Sequence, residues 1–474
     1  MSFSGYPKAL SYAFGRLEGF SKITQRVEPN RRDDVKAGST IKVAIEPNTL
    51  WNLRSFCMYY DFTVNKVGAN SAGDVQSRFH PRLSSSIIDT IAIYMNNYQV
   101  DNCADYNLLY NTLWDMSAGN DQVSRRFLEM TDPSISVTDS INAEKTEYDI
   151  FVQANNTMDA VDKSHTRQTC VINSWANFLG NSGVEYLDTN DTGLTEISIR
   201  LAPSTICWKG GERTADADKV PAAGVSKAEY KLDNIYFTYS KIVFKDTMYE
   251  QIKHDALMTE SGLRVKFTSY ETHTGALQHR SINYQFSTNA SSLDTIIATT
   301  RRKDYDVEDF LQLTNAETNE ITYFNLASDS KSHKAFNQSK YFRRDLSGLK
   351  DSQFFINGTA MSQRALTPAE VFTETTIALN DQNDLNASYH KGLCGLPQFL
   401  KFYFAHVLSL NYNGETSIPT ISGLDGGGSS FTILWKTNCD TNLTADDAQV
   451  YPVVFTASSR VLVINAGKQV SVEI

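Results

Sequence analysis

A chain of 474 residues, 41% hydrophobic and 21% charged, has an ordinary globular balance that excludes disorder and is long enough for about two to four domains at roughly 100–200 residues each. Its formal net charge of −10 excludes a general basic coat for nucleic acid, and no apolar run approaches the roughly 18 residues of a membrane span. The 25 Phe and 23 Tyr are large β-formers and favour sheet.

The first 34 residues differ from the rest. Up to Arg32 they carry Lys8, Arg16, Lys22, Arg26, Arg31 and Arg32 against Glu18 and Glu28. Their apolar residues are too sparse for a core, and they contain no apolar signal-peptide core, so no signal peptide is expected. Residues 1–34 are therefore expected as a basic amino-terminal arm, with Lys22, Arg26, Arg31 and Arg32 as its assembly contacts. Period-two alternation then begins. Ile41, Val43 and Ile45 share one face of a strand, as do Phe56, Met58, Tyr60, Phe62 and Val64 of the next. Tyr106, Leu109, Tyr110 and Leu113 instead lie on one helical stripe. Alternation resumes at Ile197, Ile199 and Leu201 and again at Ile235, Phe237 and Tyr239. Further strands are expected at Leu263–Phe267, Ile282–Phe286, Phe402–Tyr412 and Phe431–Trp435. Thr367-Pro368-Ala369-Glu370 is a capping box with Pro at the first helical position. The chain ends in two strands around Asn465-Ala466-Gly467-Lys468. Long polar loops at 117–145, 209–228 and 328–350 read as interaction surfaces.

Ser86-Ile-Ile-Asp89-Thr90-Ile91 recurs as Ser291-Ser-Leu-Asp294-Thr295-Ile296. Arg54-Ser55 and Arg280-Ser281 each open an aromatic strand upstream. This pattern suggests a duplicated β-domain, with the first copy at 35–255 and the second at 256–474. The expected fold is all-β: two tandem antiparallel jelly-roll β-sandwiches with a few short inserted helices.

Motifs for catalysis are missing. There is no GxSxG, HExxH, P-loop or GxGxxG, and Gly426-Gly427-Gly428 precedes an alternating strand where a phosphate cradle would need a helix. The cluster Asp304, Asp306, Glu308 and Asp309 lacks the glycine of an EF-hand loop and reads first as a solvated charge run, with an ion site as the alternative. Scattered carboxylates could still form a glycosidase pair in space. Cys57, Cys103, Cys170, Cys207, Cys394 and Cys439 show no CxxC spacing and are expected as free thiols in a reducing compartment. Seven Asn-x-Ser/Thr sequons, from Asn155 to Asn442, match chance in so Asn- and Thr-rich a chain. No enzyme activity, cofactor, metal or small-molecule substrate is expected.

Several segments together resemble the double jelly-roll major capsid proteins of icosahedral DNA viruses, with a lean toward the virophage and polinton-like branch. Ser85-Ser-Ile-Ile-Asp-Thr-Ile-Ala-Ile-Tyr-Met-Asn-Asn-Tyr98 followed by Tyr106-Asn-Leu-Leu-Tyr110 resembles the family's strand with an Asn-Gly turn and the helix after it, with Asn97 standing where the family has Gly. Leu232-Asp-Asn-Ile-Tyr-Phe237, Tyr270-Glu-Thr-His-Thr-Gly275 and Arg460–Val472 are similar as well, so that the resemblance covers about residues 35–474. It implies a structural protein of the virion, assembled inside the host cell, whose homotrimers form pseudo-hexagonal capsomers that tile a shell around the DNA genome. The implied partners are neighbouring capsomers, penton and minor capsid proteins, and the genome or an internal membrane on the inner side. The rival readings are a glycan-binding β-sandwich, such as a viral fibre or lectin, and a β-sandwich glycoside hydrolase. A lectin would expose its tryptophans, whereas Trp51, Trp114, Trp208 and Trp435 lie in or beside apolar segments.

Overall fold

Alternating strands with one apolar face must bury that face against a second sheet, and this chain does so twice. The computed structural model describes residues 20–47, 49–67, 77–78, 84–117, 166–206, 208–209, 227–244, 263–303, 305, 309–310, 312–314, 321–323, 341–379, 396–411, 423–427, 430–440, 449–465 and 467–473. In the first half the main strands are β1 (Phe20–Val27), β2 (Thr40–Ile45), β3 (Cys57–Val67), β4 (Ile88–Met95), β5 (Tyr98–Cys103), β6 (Thr166–Ile172), β7 (Thr195–Leu201) and β8 (Lys227–Phe244), with helix α1 (Tyr106–Ser117) after β5. In the second half they are β9 (Leu263–Thr274), β10 (Asn283–Thr288), β11 (Ser292–Arg302), β12 (Leu349–Ile356), β13 (Thr359–Ala360), β14 (His406–Ser409), β15 (Phe431–Cys439) and β16 (Gln449–Asn465). Helix α2 (Pro368–Leu379) follows β13, and β17 (Gln469–Glu473) closes the chain.

The two halves share one topology. The larger sheets run β1-β8-β3-β6 and β9-β16-β11-β14, and the smaller sheets β2-β7-β4-β5 and β10-β15-β12-β13, all antiparallel. Counted from the start of each half, both orders are the Greek-key order of a jelly roll. Short strands such as Leu50–Asn52 and Tyr186–Asp188 widen the first large sheet, and β17 pairs with β16. The chain is thus two tandem jelly-roll sandwiches. The expected boundary at 255/256 lies outside the described residues, between β8 and β9.

Two sequence readings need correction. The Ser-x-x-Asp-Thr-Ile match joins strands that are not equivalent. β4 is the fourth strand of its half and sits in the smaller sheet, whereas β11 is the third of its half and sits in the larger. The flanking Arg-Ser pairs fail likewise, since Arg54 precedes β3 and Arg280 precedes β10. Strands draw on a small β-branched and aromatic alphabet, so four identities in six arise without common position. The true counterparts are β4 and β12. Each ends in a two-residue hairpin, Asn96-Asn97 or Asn357-Gly358, and in each hairpin both turn residues have positive φ. That is a type I′ turn, whose twist matches the flanking strands. Each hairpin then leads into a helix, α1 or α2. We expect Asn97→Ala, at φ 65°, to cost about 1 kcal/mol in chemical denaturation, with Asn97→Gly neutral or stabilising. An alanine variant as stable as the parent would contradict the turn assignment.

The second correction concerns the arm. Residues 20–27 form β1, paired along its whole length with β8 from Phe20↔Phe244 to Val27↔Phe237. The sequence FSKITQRV hid this because β1 lies at the margin of the sheet. Among the described side chains of β1 only Val27 packs against the core, while Ile23 stays 44% exposed, and lysine and arginine alternate with polar residues as edge strands often require.

The core is not divided at the domain boundary. One apolar cluster joins Ile41, Phe62 and Phe237 of the first sandwich, through Tyr106 and Phe178, to Phe267, Phe455 and Leu462 of the second. Another, around Leu293, Phe354, Phe431 and Trp435, fills the second sandwich. Trp51 and Trp435 are fully buried, Trp175 is buried with Nε1 donating to Phe56 O at 2.7 Å, and Trp114 is half-buried, so these four are packing residues. The side chain of Trp208 lies outside the described residues. Among the described residues no helix is long and apolar enough to cross a membrane.

Candidate functional site

The seam between the sandwiches concentrates the buried polar chemistry of the chain. The first sandwich contributes β5, α1 and the short helix Phe178–Asn181; the second contributes β9, β11, β16 and the segment at 341–344. Acids stand on the first side and arginines on the second. Arg344, fully buried, places Nη2 2.5 Å from Asp115 at the end of α1 and donates from Nη1 to Thr112 Oγ1 at 2.6 Å. Arg301 on β11 reaches Asp105 at 2.8 Å and lies over the rings of Tyr305 and Tyr341. Asp101 on β5 accepts from Ser269 Oγ at 2.7 Å and from the backbone N–H of Phe178 at 3.0 Å. Burial pushes the Asp101 carboxyl above the usual range against these bonds. Beside the seam, burial would raise Asp345 too, but Arg343 and Arg280 outweigh it and hold that carboxyl low.

Apolar contacts complete the seam. Phe178 meets Phe267 edge-on at 5.1 Å, and Ile297 and Phe455, paired across β11 and β16, turn away from their own core to join the first cluster. The short helix carrying Phe178 depends on Gly180. A Cβ there would lie 1.7 Å from the carbonyl oxygen of Trp175, so Gly180→Ala must displace the helix. We expect a loss of about 3 kcal/mol or more in denaturant titration; an alanine variant of parental stability would show that the helix is not fixed by this contact.

The four basic residues expected in the arm fall in two places. Lys22 and Arg26 stand on β1. Arg26 lies 3.9 Å over the ring of Tyr236, which stacks at 4.7 Å on Tyr59, and its guanidinium is 3.6 Å from Glu28. Arg31 and Arg32 are in the turn after β1. Arg32 contacts Glu28 at 3.1 Å and Asn234 Oδ1 at 3.0 Å, and Arg31 is exposed. Arg26 and Arg32 thus share one carboxylate, while Lys22 lies further back along β1. Tyr59 and Tyr236 lie on the face of the first large sheet that points away from its core, since Met58, Tyr60, Phe237 and Tyr239 between them are buried. Sequence reasoning missed this face. The alternation of β3 and β8 carried the signal, because both faces of these strands hold tyrosine.

Other expected features are placed as follows. Cys57 is half-buried and Cys103, Cys170 and Cys439 are buried, and all four are free thiols; Cys207 and Cys394 lie outside the described residues. Asp304, Asp306 and Glu308, and the side chain of Asp309, lie outside them as well. Among the described residues no group of three or more His, Cys, Asp or Glu is placed to hold a metal.

No protein-family model matches the sequence, and neither does any curated protein. Solved structures do match. The chain is similar to the Faustovirus major capsid protein at TM-score 0.55 and 8% identity, over 96% of this chain and 92% of that one. It is similar to VP54 of PBCV-1, fitted into a reconstruction of the virophage Sputnik, at TM-score 0.53 and 10% identity, over 97% and 98%. A chain of the Sputnik virophage structure matches at TM-score 0.51 and 10% identity, over 99% and 92%. The likeness spans both sandwiches, so the fold shared with these proteins is the tandem arrangement itself.

Proposed function

We propose that the protein is the major capsid protein of an icosahedral DNA virus, a structural subunit of the virion that assembles inside the host cell. The observation that carries this reading is the joining of two sandwiches of one topology into a single block through a continuous apolar core and buried ion pairs. A shell tiled on a near-hexagonal lattice needs blocks with six similar edges. Three copies of a tandem sandwich supply six similar lobes, and closed cyclic symmetry gives the ring. The fold shared with chains from PBCV-1, Faustovirus and Sputnik supports the same reading. Homotrimers of pseudo-hexagonal outline then pack against neighbouring capsomers and against penton and minor capsid proteins. Residues 1–19, the remainder of the arm, carry Lys8 and Arg16 and serve as the inward contact to genome or membrane. Static light scattering on the purified chain tests the building block. We expect three times the chain mass of 53.1 kDa. A monomer at all concentrations, or turnover of a glycan by purified protein, would overturn the reading in favour of a β-sandwich of another kind.

A further inference from the structure

The segment that carries Phe178 into the seam holds a backbone conformation that its own sequence resists. Asn177 has φ 98° and ψ −163°, a region that glycine enters freely and other residues almost never. The other described non-glycine residues of positive φ lie between 48° and 65°, in the ordinary left-handed region. Asn177 is also fully buried, and its Nδ2 has no hydrogen-bond acceptor. A strained backbone and an unmet buried donor each cost free energy. The local gain is small by comparison. Asn177 Oδ1 accepts from Leu179 N at 3.2 Å, and its carbonyl accepts from Gly180 N at 3.0 Å and Asn181 N at 2.8 Å. These bonds close one helical turn, which is not stable by itself.

Contacts on both sides hold the strain in place. From the first sandwich, Phe56 O accepts from Trp175 Nε1 at 2.7 Å, the Tyr106 hydroxyl accepts from Ala176 N at 2.9 Å, and Asp101 Oδ2 accepts from Phe178 N at 3.0 Å. From the second, Phe267 meets the Phe178 ring and forms a bridge with Ser182. The Tyr270 hydroxyl accepts from Asn181 Nδ2 at 3.4 Å, and Lys266 O accepts from Gly183 N at 2.8 Å. Asn177 stands between the two sets. Trp175 and Ala176 before it are fixed to the first sandwich, and every contact with the second comes after it. Rotation at Asn177 would therefore swing 178–183 off the second sandwich and leave Trp175 and Ala176 anchored.

We infer that residues 175–183 are a spring-loaded clasp hinged at Asn177. Contact with the second sandwich holds the hinge in its strained conformation, and loss of that contact lets the clasp relax before either sandwich unfolds. The clasp belongs to the single chain and does not depend on how copies assemble. It gives the tandem sandwiches a defined place where a change in their relative position begins. A residue that adopts the strained conformation at no cost should keep the clasp shut.

Native-state hydrogen exchange on the full-length chain, read by mass spectrometry of peptides and corrected for intrinsic rates, tests this. In the parent, the clasp amides should exchange through an opening of their own, with a weaker denaturant dependence than the amides of β4 and β15. Asn177→Gly relieves the strain, removes the unmet donor and loses little as a cap, so it should slow clasp exchange about tenfold. Asn177→Ala keeps the strain and loses the cap, so it should speed clasp exchange about tenfold. Three results would each overturn the inference: clasp amides that exchange only together with those of β4 and β15, a glycine variant that exchanges as fast as the alanine variant, or a glycine variant that does not fold. If the alanine variant does not fold, the parent and the glycine variant decide, since the glycine variant must then exchange more slowly than the parent.

Discussion

Replacing Arg344 with Met should cost about 3–5 kcal/mol of stability, the largest effect expected of any single substitution outside the apolar core. Arg344 is fully buried and its partner Asp115 nearly so, at 2.5 Å. The residues are 229 apart in sequence and belong to different sandwiches. Removing the guanidinium leaves a carboxylate in a site that water does not reach, and the loss of its partner cannot be offset by solvation. Because the pair crosses the seam, the damage should be shared by both sandwiches, so thermal unfolding should remain one transition at lower temperature. The double variant R344M/D115L removes both charges and should recover most of the loss, since a buried ion pair is often no better than well-packed apolar side chains. A single variant within 1 kcal/mol of the parent, on the scale of an exposed surface pair, would show that the pair does not join the sandwiches.

The second large effect is on acid stability. His406 on β14 is buried inside the second sandwich, its ring 4.5 Å from Phe354. Ser352 Oγ accepts from Trp435 Nε1 at 3.0 Å and shares a hydrogen bond of 2.8 Å with His406 Nδ1. Burial lowers the His406 pKa from 6.5 to about 3. The unfolded chain therefore takes up a proton that the folded chain refuses. Stability from this group is complete above pH 6.5 and is lost as pH falls, by about 1.4 kcal/mol per unit, until the folded pKa is reached near 3. Between pH 6.5 and 5 the loss is about 2 kcal/mol. His273, lowered by burial despite Glu271, adds in the same direction. The carboxyls of Asp89, Asp101 and Asp294, raised chiefly by burial, act in the opposite direction. Denaturant titrations at pH 7 and pH 5 on the parent and His406→Gln isolate the effect. The parent should lose about 2 kcal/mol more than the variant, and equal losses would place a protonated imidazole in the folded core.

These two sites mark where sequence reading stops. Alternation from Ile41 to Trp435 was plain because each strand presents one apolar face, and the capping box at Thr367 and Glu370 is local chemistry that forms where it is written, with Glu370 accepting from Thr367 N at 2.8 Å. The helical stripe from Tyr106 was legible for the same reason. Its burial on every side was not, because the residues that cover α1 come from the other sandwich. Asp115 and Arg344 are ordinary charged residues until the fold brings them together. β1 was unreadable for a different reason: at the sheet margin one face is wet and the other only partly covered, so its pattern fades into that of a polar tail. The duplication was recognised from a six-residue match that joins the wrong strands, while its real signature was a pair of two-residue turns whose positive φ only Asn and Gly adopt readily.

Electron microscopy of particles assembled from the full-length chain measures the central claim most directly. Shell formation should give a lattice of pseudo-hexagonal capsomers, each averaging to a three-fold ring of six sandwich-sized lobes. Capsomers with any other copy number, or purified protein that remains single two-lobed molecules under every assembly condition, would contradict it.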